Sequence, residues 1–332
     1  MSLNRRRFLA AGAASASASL GLAAATCPLR AQDAPAFQTL EFDWADAARQ
    51  RPVPVRLYLP TQADAPLPLL VFSHGIGGSR RGYSYLGQHM ARHGVASLHL
   101  QHVGSDRQVW TGGSPFGVIG RLQDAAQERE AVARAQDLRF ALDALLQVPA
   151  HAALAERIDA RRIVAGGHSY GANTTLLASG ARVRRGGQML DLRDERIRAA
   201  IVMSAPPFYG EGDPAEILGD IALPTLHVTA TEDVIRIPGY FSGLEDRLAV
   251  YRATGRARQV PKWLAVYEGG SHSIFTDRAG TGGVTLNPQV KAATQALALA
   301  FVRTVLDGDE AGLRQWPGQH AGILARFDAP NA

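Results

Sequence analysis

Gly167-His168-Ser169-Tyr170-Gly171 follows the apolar run Ile163-Val164-Ala165 and precedes Ala172-Asn173-Thr174-Thr175-Leu176-Leu177, which has a helical composition. The pattern is G-x-S-x-G between a buried strand and a helix. A serine on so sharp a turn has strained backbone angles, and glycines two residues to either side remove Cβ atoms that would collide there. The turn lifts Oγ above the sheet and aims backbone N–H groups at the space beside it. The chain has sixteen serines and is about one-tenth glycine, so roughly 0.16 chance matches are expected; the strand–turn–helix context therefore carries the reading. Ser169 is the candidate nucleophile.

A serine hydroxyl is a poor nucleophile unless an imidazole takes its proton during attack. Three of the ten histidines follow Ser169. His227 falls in an apolar strand and His320 in a loose tail. His272, in Glu268-Gly269-Gly270-Ser271-His272, stands just past an expected strand over 263–266, where a glycine-rich loop can present an imidazole. It is the candidate base. For the acid, Thr231-Glu232-Asp233 caps an expected strand over 225–230. Asp233 is preferred to Glu232, because one of two adjacent residues faces outward and the shorter side chain holds a fixed geometry better. A buried carboxylate there accepts the His272 Nδ1–H and fixes its tautomer.

Acyl transfer also needs N–H donors aimed at the developing oxyanion. The residue after the nucleophile supplies one, here Tyr170. The loop after the early buried strand, His74-Gly75-Ile76-Gly77, supplies the other through Ile76. His74 itself reads as a structural histidine beneath that loop. Trp110, Phe208, Tyr209 and Phe275 fall in or beside irregular stretches and are candidates to line a substrate pocket. The sequence implies no metal and no cofactor.

These residues need a scaffold. Two alternating segments, 37–42 and 53–59, read as an opening hairpin. Leu69-Leu70-Val71-Phe72 is a short run buried on both faces, and a helix over 83–93 ends at Gly94. Strands over 95–100, 162–165, 199–203, 225–230 and 263–266 then alternate with helices over 123–147, 172–181 and 288–306. The alternation predicts a single α/β domain with a doubly wound, mostly parallel, eight-stranded sheet. Residues 104–120, 206–219 and 234–255 fit no regular element and lie beyond strand carboxyl ends, where such sheets bind ligands. Asp137 and Asp143 on the long helix read as solvated or capping charges, and Arg182, Arg184 and Arg185 as a solvated run.

The N-terminus has a separate role. Asn4-Arg5-Arg6-Arg7-Phe8-Leu9 puts paired arginines before an Ala-rich run reaching Ala25, which reads as a Tat-type export signal over 1–31. Cleavage after Ala25 or Ala31 both fit, and the run makes a weak membrane anchor. The catalytic domain is then 32–332, with a periplasmic or secreted address and no stable membrane span. Residues 1–31 hold Arg5, Arg6, Arg7 and Arg30 and no acid, so the formal charge of +5 falls by four to +1. Nothing in that balance calls for nucleic acid. The one cysteine, Cys27, excludes an intrachain disulfide, and Ala24-Ala25-Thr26 is a poor lead-in for a lipoprotein anchor.

With these residues assembled, the chain resembles the platelet-activating-factor acetylhydrolase and predicted dienelactone-hydrolase-like branch of the α/β hydrolases. The likeness lies in Val71-Phe72-Ser73-His74-Gly75-Ile76-Gly77-Gly78-Ser79-Arg80 through Tyr85, in His93-Gly94-Val95, in His102 and in the Ser169 turn. The resemblance implies the α/β-hydrolase fold, with Ser169 and His272 as catalytic pair and Ile76 and Tyr170 at the oxyanion positions. One departure stands out. The animal acetylhydrolases carry their acid directly after the strand that follows the elbow helix, where this chain reads Met203-Ser204-Ala205-Pro206. The acid therefore looks moved to Asp233, as in bacterial cutinase-like relatives. The reading that results is an exported serine hydrolase acting on a small-molecule, lipid or polymer ester. A peptidase or amidase on the same triad, or a catalytically retired binding protein, are its alternatives.

Overall fold

Residues 35–111, 115–185, 187–278, 281 and 283–330 are described by a computed structural model. The expected export signal and Cys27 lie outside them. The chain opens with β1 (Phe37–Asp46), β2 (Arg51–Pro60), β3 (Leu67–Ser73), α1 (Ser84–Arg92), β4 (Ala96–Leu100), α2 (Pro115–Ala125), α3 (Glu128–Gln147) and the short α4 (Ala152–Ala155). Then come β5 (Ile158–His168), α5 (Tyr170–Ala178), β6 (Arg182–Arg185), β7 (Gln188–Asp191), β8 (Ile197–Met203) and α6 (Pro214–Leu218). The last part holds β9 (Thr225–Glu232), β10 (Ile235–Ile237), β11 (Tyr240–Ser242), α7 (Leu244–Ala253), β12 (Lys262–Ser271), α8 (Gly283–Asp307), α9 (Ala311–Gln319) and β13 (Leu324–Asp328).

The main sheet has nine strands in the order β1-β2-β4-β3-β5-β8-β9-β12-β13. Pairings from β4 through to β12 are parallel, and the β1–β2, β2–β4 and β12–β13 pairings are antiparallel. Side chains alternate between the two faces. Leu69 and Val71 join one core layer beneath α3 and α5, while Leu70 and Phe72 join the opposite layer beneath α1, α8 and α9. Ala200 and Val202 against Ile201 and Met203 repeat the division. This two-sided burial is why the central strands read as continuous apolar runs.

Several details depart from the sequence expectation. The ninth strand is β13, in the tail expected to be loose. Leu324-Ala325-Arg326-Phe327-Asp328 has little strand character of its own and forms by pairing with the outer edge of β12, Ala265 opposite Phe327. Buried Leu313 and Trp316 of α9 anchor the tail before it. The helix expected over 123–147 divides at Gln127, whose backbone is extended, and Glu128 and Glu130 then open α3, where negative charge suits a helix N-terminus. The stretches expected to be irregular carry α2, α6, α7 and the β10–β11 hairpin.

Candidate active site

β5 ends at His168 and α5 begins at Tyr170, so Ser169 alone makes the turn, at φ 57° and ψ −123°. A non-glycine residue held there costs about 1–3 kcal/mol and persists only when its surroundings over-determine it. Here the Ser169 N–H donates to the Met203 carbonyl at 2.9 Å. The flanking glycines are needed for close backbone approach. A Cβ on Gly167 would stand 2.2 Å from the Gly171 carbonyl oxygen, and one on Gly171 would stand 1.9 Å from that of Ser73. Gly171→Ala is therefore expected to lower stability by about 3 kcal/mol or more, read as a lower urea midpoint; an unchanged midpoint would show that the β3 end moves away freely.

Asp233 follows β9, and His272 follows β12. The β12 ladder shifts register between Tyr267 and Ser271, where Gly269 and Gly270 adopt φ 69° and 91°. That bulge re-aims the chain so that the His272 ring returns over the elbow. His272 Nε2 lies 2.7 Å from Ser169 Oγ, and its Nδ1 lies 2.6 Å from Asp233 Oδ1. With Nδ1–H donating to the carboxylate, Nε2 is left to accept the serine proton. Asp233 is fully buried, whereas Glu232 is exposed. The Thr229 hydroxyl donates to Asp233 Oδ2 at 2.7 Å, and the buried Arg247 guanidinium lies 3.4 Å from Oδ1. Burial alone would raise the Asp233 carboxyl, but the His272 hydrogen bond and charge, with Arg247, hold it well below the usual carboxylate range.

Two supporting groups carried no sequence signal. Arg247 sits in a stretch that reads as loop, and His168 reads as a variable position of the turn motif. Yet Tyr83 OH donates to His168 Nδ1 at 2.8 Å, and His168 Nε2–H donates to the His272 carbonyl at 2.9 Å. Burial, then the neighbouring His272, pushes the His168 imidazole down to about 3, so it stays neutral.

The loop after β3 packs directly on the elbow: a Cβ on Gly75 would meet Ser169 Cβ at 3.1 Å. Gly77 N–H donates to the Ser105 carbonyl, and Gly78 N–H to that of Gly75. Among the described residues the N–H groups of Ile76 and Tyr170 have no hydrogen-bond acceptor, and both residues line the cavity beside Ser169. His74 is buried below the loop; its Nδ1–H donates to the Gly75 carbonyl at 2.6 Å, and Nε2 accepts the His102 N–H at 3.1 Å.

Beneath it Asp137 is not a solvated charge. It is fully buried, bonded to His102 Nδ1 at 3.1 Å, Arg51 Nε at 2.8 Å and Arg49 at 2.9 Å. His102 Nε2 in turn accepts the Ser73 hydroxyl at 3.0 Å. Helical periodicity alone did not show that this position of α3 faces β2 rather than water. Ser73, His102 and Asp137 thus form a second Ser-His-Asp string, but none of the three lines the cavity; they hold the loop from below. Asp137→Ala takes the fully buried carboxylate from His102 and from the part-buried Arg49 and Arg51, which keep Asp46 and Glu130 as partners, and is expected to cost about 2–3 kcal/mol in a urea titration. Asp143 is ion-paired with Arg196, and Arg182 and Arg185 are likewise paired, with Asp220 and Glu211.

Burial opposes ionisation of Asp137 as well, and its bonds to His102 and Arg51 hold it below the ordinary range. For both aspartates the folded value lies under the unfolded one, so their stabilisation is complete above about pH 4 and is lost as pH falls through the lowered values. The urea midpoint is expected to fall on acidification below about pH 4, less steeply in Asp233→Asn; identical acid slopes would contradict the assignment of that charge.

The cavity beside Ser169 has a volume of about 780 Å³. Trp110, Phe208 and Tyr209 line it. Trp110 is 44% exposed and donates Nε1–H to the Gly77 carbonyl at 2.9 Å. Phe275 does not line it. The turn after His272 points Ile274 and Phe275 back into the core, where Phe275 is fully buried against His168 and Tyr267.

Residues 43–109 match the family model of platelet-activating factor acetylhydrolase, isoform II. That stretch holds β2, β3, the loop with Ile76, α1 and β4, and stops short of Ser169. The match supports the acetylhydrolase-like, α/β-hydrolase family that the motifs resemble, and with it a hydrolase of the esterase or acetylhydrolase kind. No curated protein matches the chain.

Proposed function

We propose that the chain is an exported serine hydrolase that cleaves carboxylic esters through an acyl-enzyme intermediate. One observation carries the reading: an unbroken string from Ser169 Oγ through His272 to Asp233, with steps of 2.7 and 2.6 Å, opens on a cavity. Ser169 Oγ attacks the ester carbonyl as His272 Nε2 takes its proton. The Ile76 and Tyr170 N–H groups receive the oxyanion of the tetrahedral adduct. Its collapse breaks the ester C–O bond, and His272 returns the proton to the departing alcohol. Water, deprotonated by the same imidazole, then attacks the acyl group and frees Ser169 with release of the carboxylic acid. Asp233 stabilises the transient imidazolium throughout.

The paired arginines before an apolar run support export by a folded-protein route to the periplasm or beyond. Among the described residues no helix is long and apolar enough to cross a membrane. The substrate is a small-molecule, lipid or polymer ester; the near-neutral charge after signal removal gives no support to nucleic acid. The test is a p-nitrophenyl ester beside the matching p-nitroanilide. Turnover of the ester with the anilide far slower is expected. Equal rates would indicate an amidase instead, and turnover of neither would contradict the reading.

A further inference from the structure

The wall of the cavity that follows α5 is mostly hydrocarbon. The helix leads away from Ser169 and presents Tyr170, Asn173 and Leu177 to the cavity, positions that share one helical face. At 1.5 Å per residue, Ser169 to Leu177 spans about 12 Å. Beyond Leu177 the lining continues on the β6–β7 hairpin, where Val183 pairs across the strands with Leu190, and on Leu192 just after it. Val183 and Leu192 are buried, and Leu190 packs against the same core layer. Arg185 of this hairpin is matched by Glu128 and Glu211 and offers no free charge to a ligand. Asn173 is the polar member of the helical face, one turn from the nucleophile.

The walls supplied by the loop after β3 and by the residues after His272 differ in character. They carry the Gly77–Gly78 backbone with Trp110 held to it, Ile76 and Tyr83, and the opposite charges of Asp277 and Arg278, whose guanidinium lies 5.5 Å from the Trp110 ring centre. Phe208, Tyr209, Ile235 and Ile237 add a further apolar side, and a hydrocarbon arm suits the α5 wall.

We propose that the α5 wall binds a linear hydrocarbon chain on one side of the scissile ester bond, so that the protein prefers esters with a medium-length chain on that side to those with a two-carbon one. The inference rests on the ester-hydrolase reading above and names its substrate class. An extended chain advances about 1.3 Å per carbon, so a 12 Å wall takes about eight to ten carbons.

The test measures kcat/KM on p-nitrophenyl esters from acetate to dodecanoate, and on ethyl and octyl acetates, for the wild type, Leu177→Trp and Leu190→Trp. The two series tell an acyl chain from an alcohol chain. In one of them kcat/KM is expected to rise at least about tenfold toward eight carbons, well within what burial of six further methylenes supports. Leu177→Trp narrows the far end and is expected to lower the long-to-short ratio at least about tenfold. Leu190→Trp, on a half-exposed hairpin that tolerates the larger ring, is expected to move the ratio the same way. Rates that fall as the chain lengthens in both series would overturn the proposal. So would ratios untouched by either substitution in folded protein. A protein that hydrolyses no ester of any length overturns the ester-hydrolase reading instead, so the two failures are distinct.

Discussion

Ser169→Ala is expected to lower kcat/KM for p-nitrophenyl esters by about 10⁴-fold or more. On the proposed mechanism the variant lacks the hydroxyl that would form the acyl bond, and His272 Nε2, 2.7 Å from Oγ in the wild type, has only water left to activate. What remains comes from binding and from the free Ile76 and Tyr170 donors. Alanine fits the space, so the loss is expected in kcat with the urea midpoint little changed. A folded variant retaining more than about 1% of wild-type kcat/KM would remove Ser169 from the mechanism.

Asp233→Asn is expected to cost about 10³-fold in kcat with KM little changed. Arg247, a donor only, faces Oδ1 along with His272 Nδ1, while Thr229, whose hydroxyl can also accept, faces Oδ2. An asparagine therefore seats its oxygen toward Arg247 and His272 and its amide toward Thr229. The imidazole keeps its orientation, and the missing quantity is the negative charge that stabilises the imidazolium. Exposed Glu232 is the control: Glu232→Gln is expected to leave kcat within about twofold. A larger loss from Glu232→Gln than from Asp233→Asn would show that the acid is the other residue of the pair.

The fold was legible wherever periodicity has a single cause. Leu69-Leu70-Val71-Phe72 and Ile163-Val164-Ala165 are apolar without alternation because helices cover both faces of the sheet. β13 was not legible, since its five residues acquire strand form from the edge of β12 rather than from their own propensities. The hairpin and helix within 234–255 were hidden for a similar reason: Pro238 and Gly239, which make the turn, also read as generic loop. The convergence of Ser169, Asp233 and His272 was readable because each sits at the carboxyl end of a recognisable strand. Residues that act through others were not. Arg247 meets Asp233 across 14 residues, Asp137 meets His102 and Arg51 across 35 and 86, and His168 meets the His272 carbonyl across 104, and no local pattern encodes those. Phe275 was misplaced because a loop's direction after a bulge is set by backbone angles at Gly269 and Gly270, to which residue type gives no pointer.

The most direct test of the account is to treat the purified protein with a fluorophosphonate and map the adduct by peptide mass spectrometry. One adduct per chain on the peptide carrying Ser169 is expected, abolished in Ser169→Ala and slowed in Asp233→Asn. Labelling that persists in Ser169→Ala, or an adduct that maps to any other residue, would contradict it.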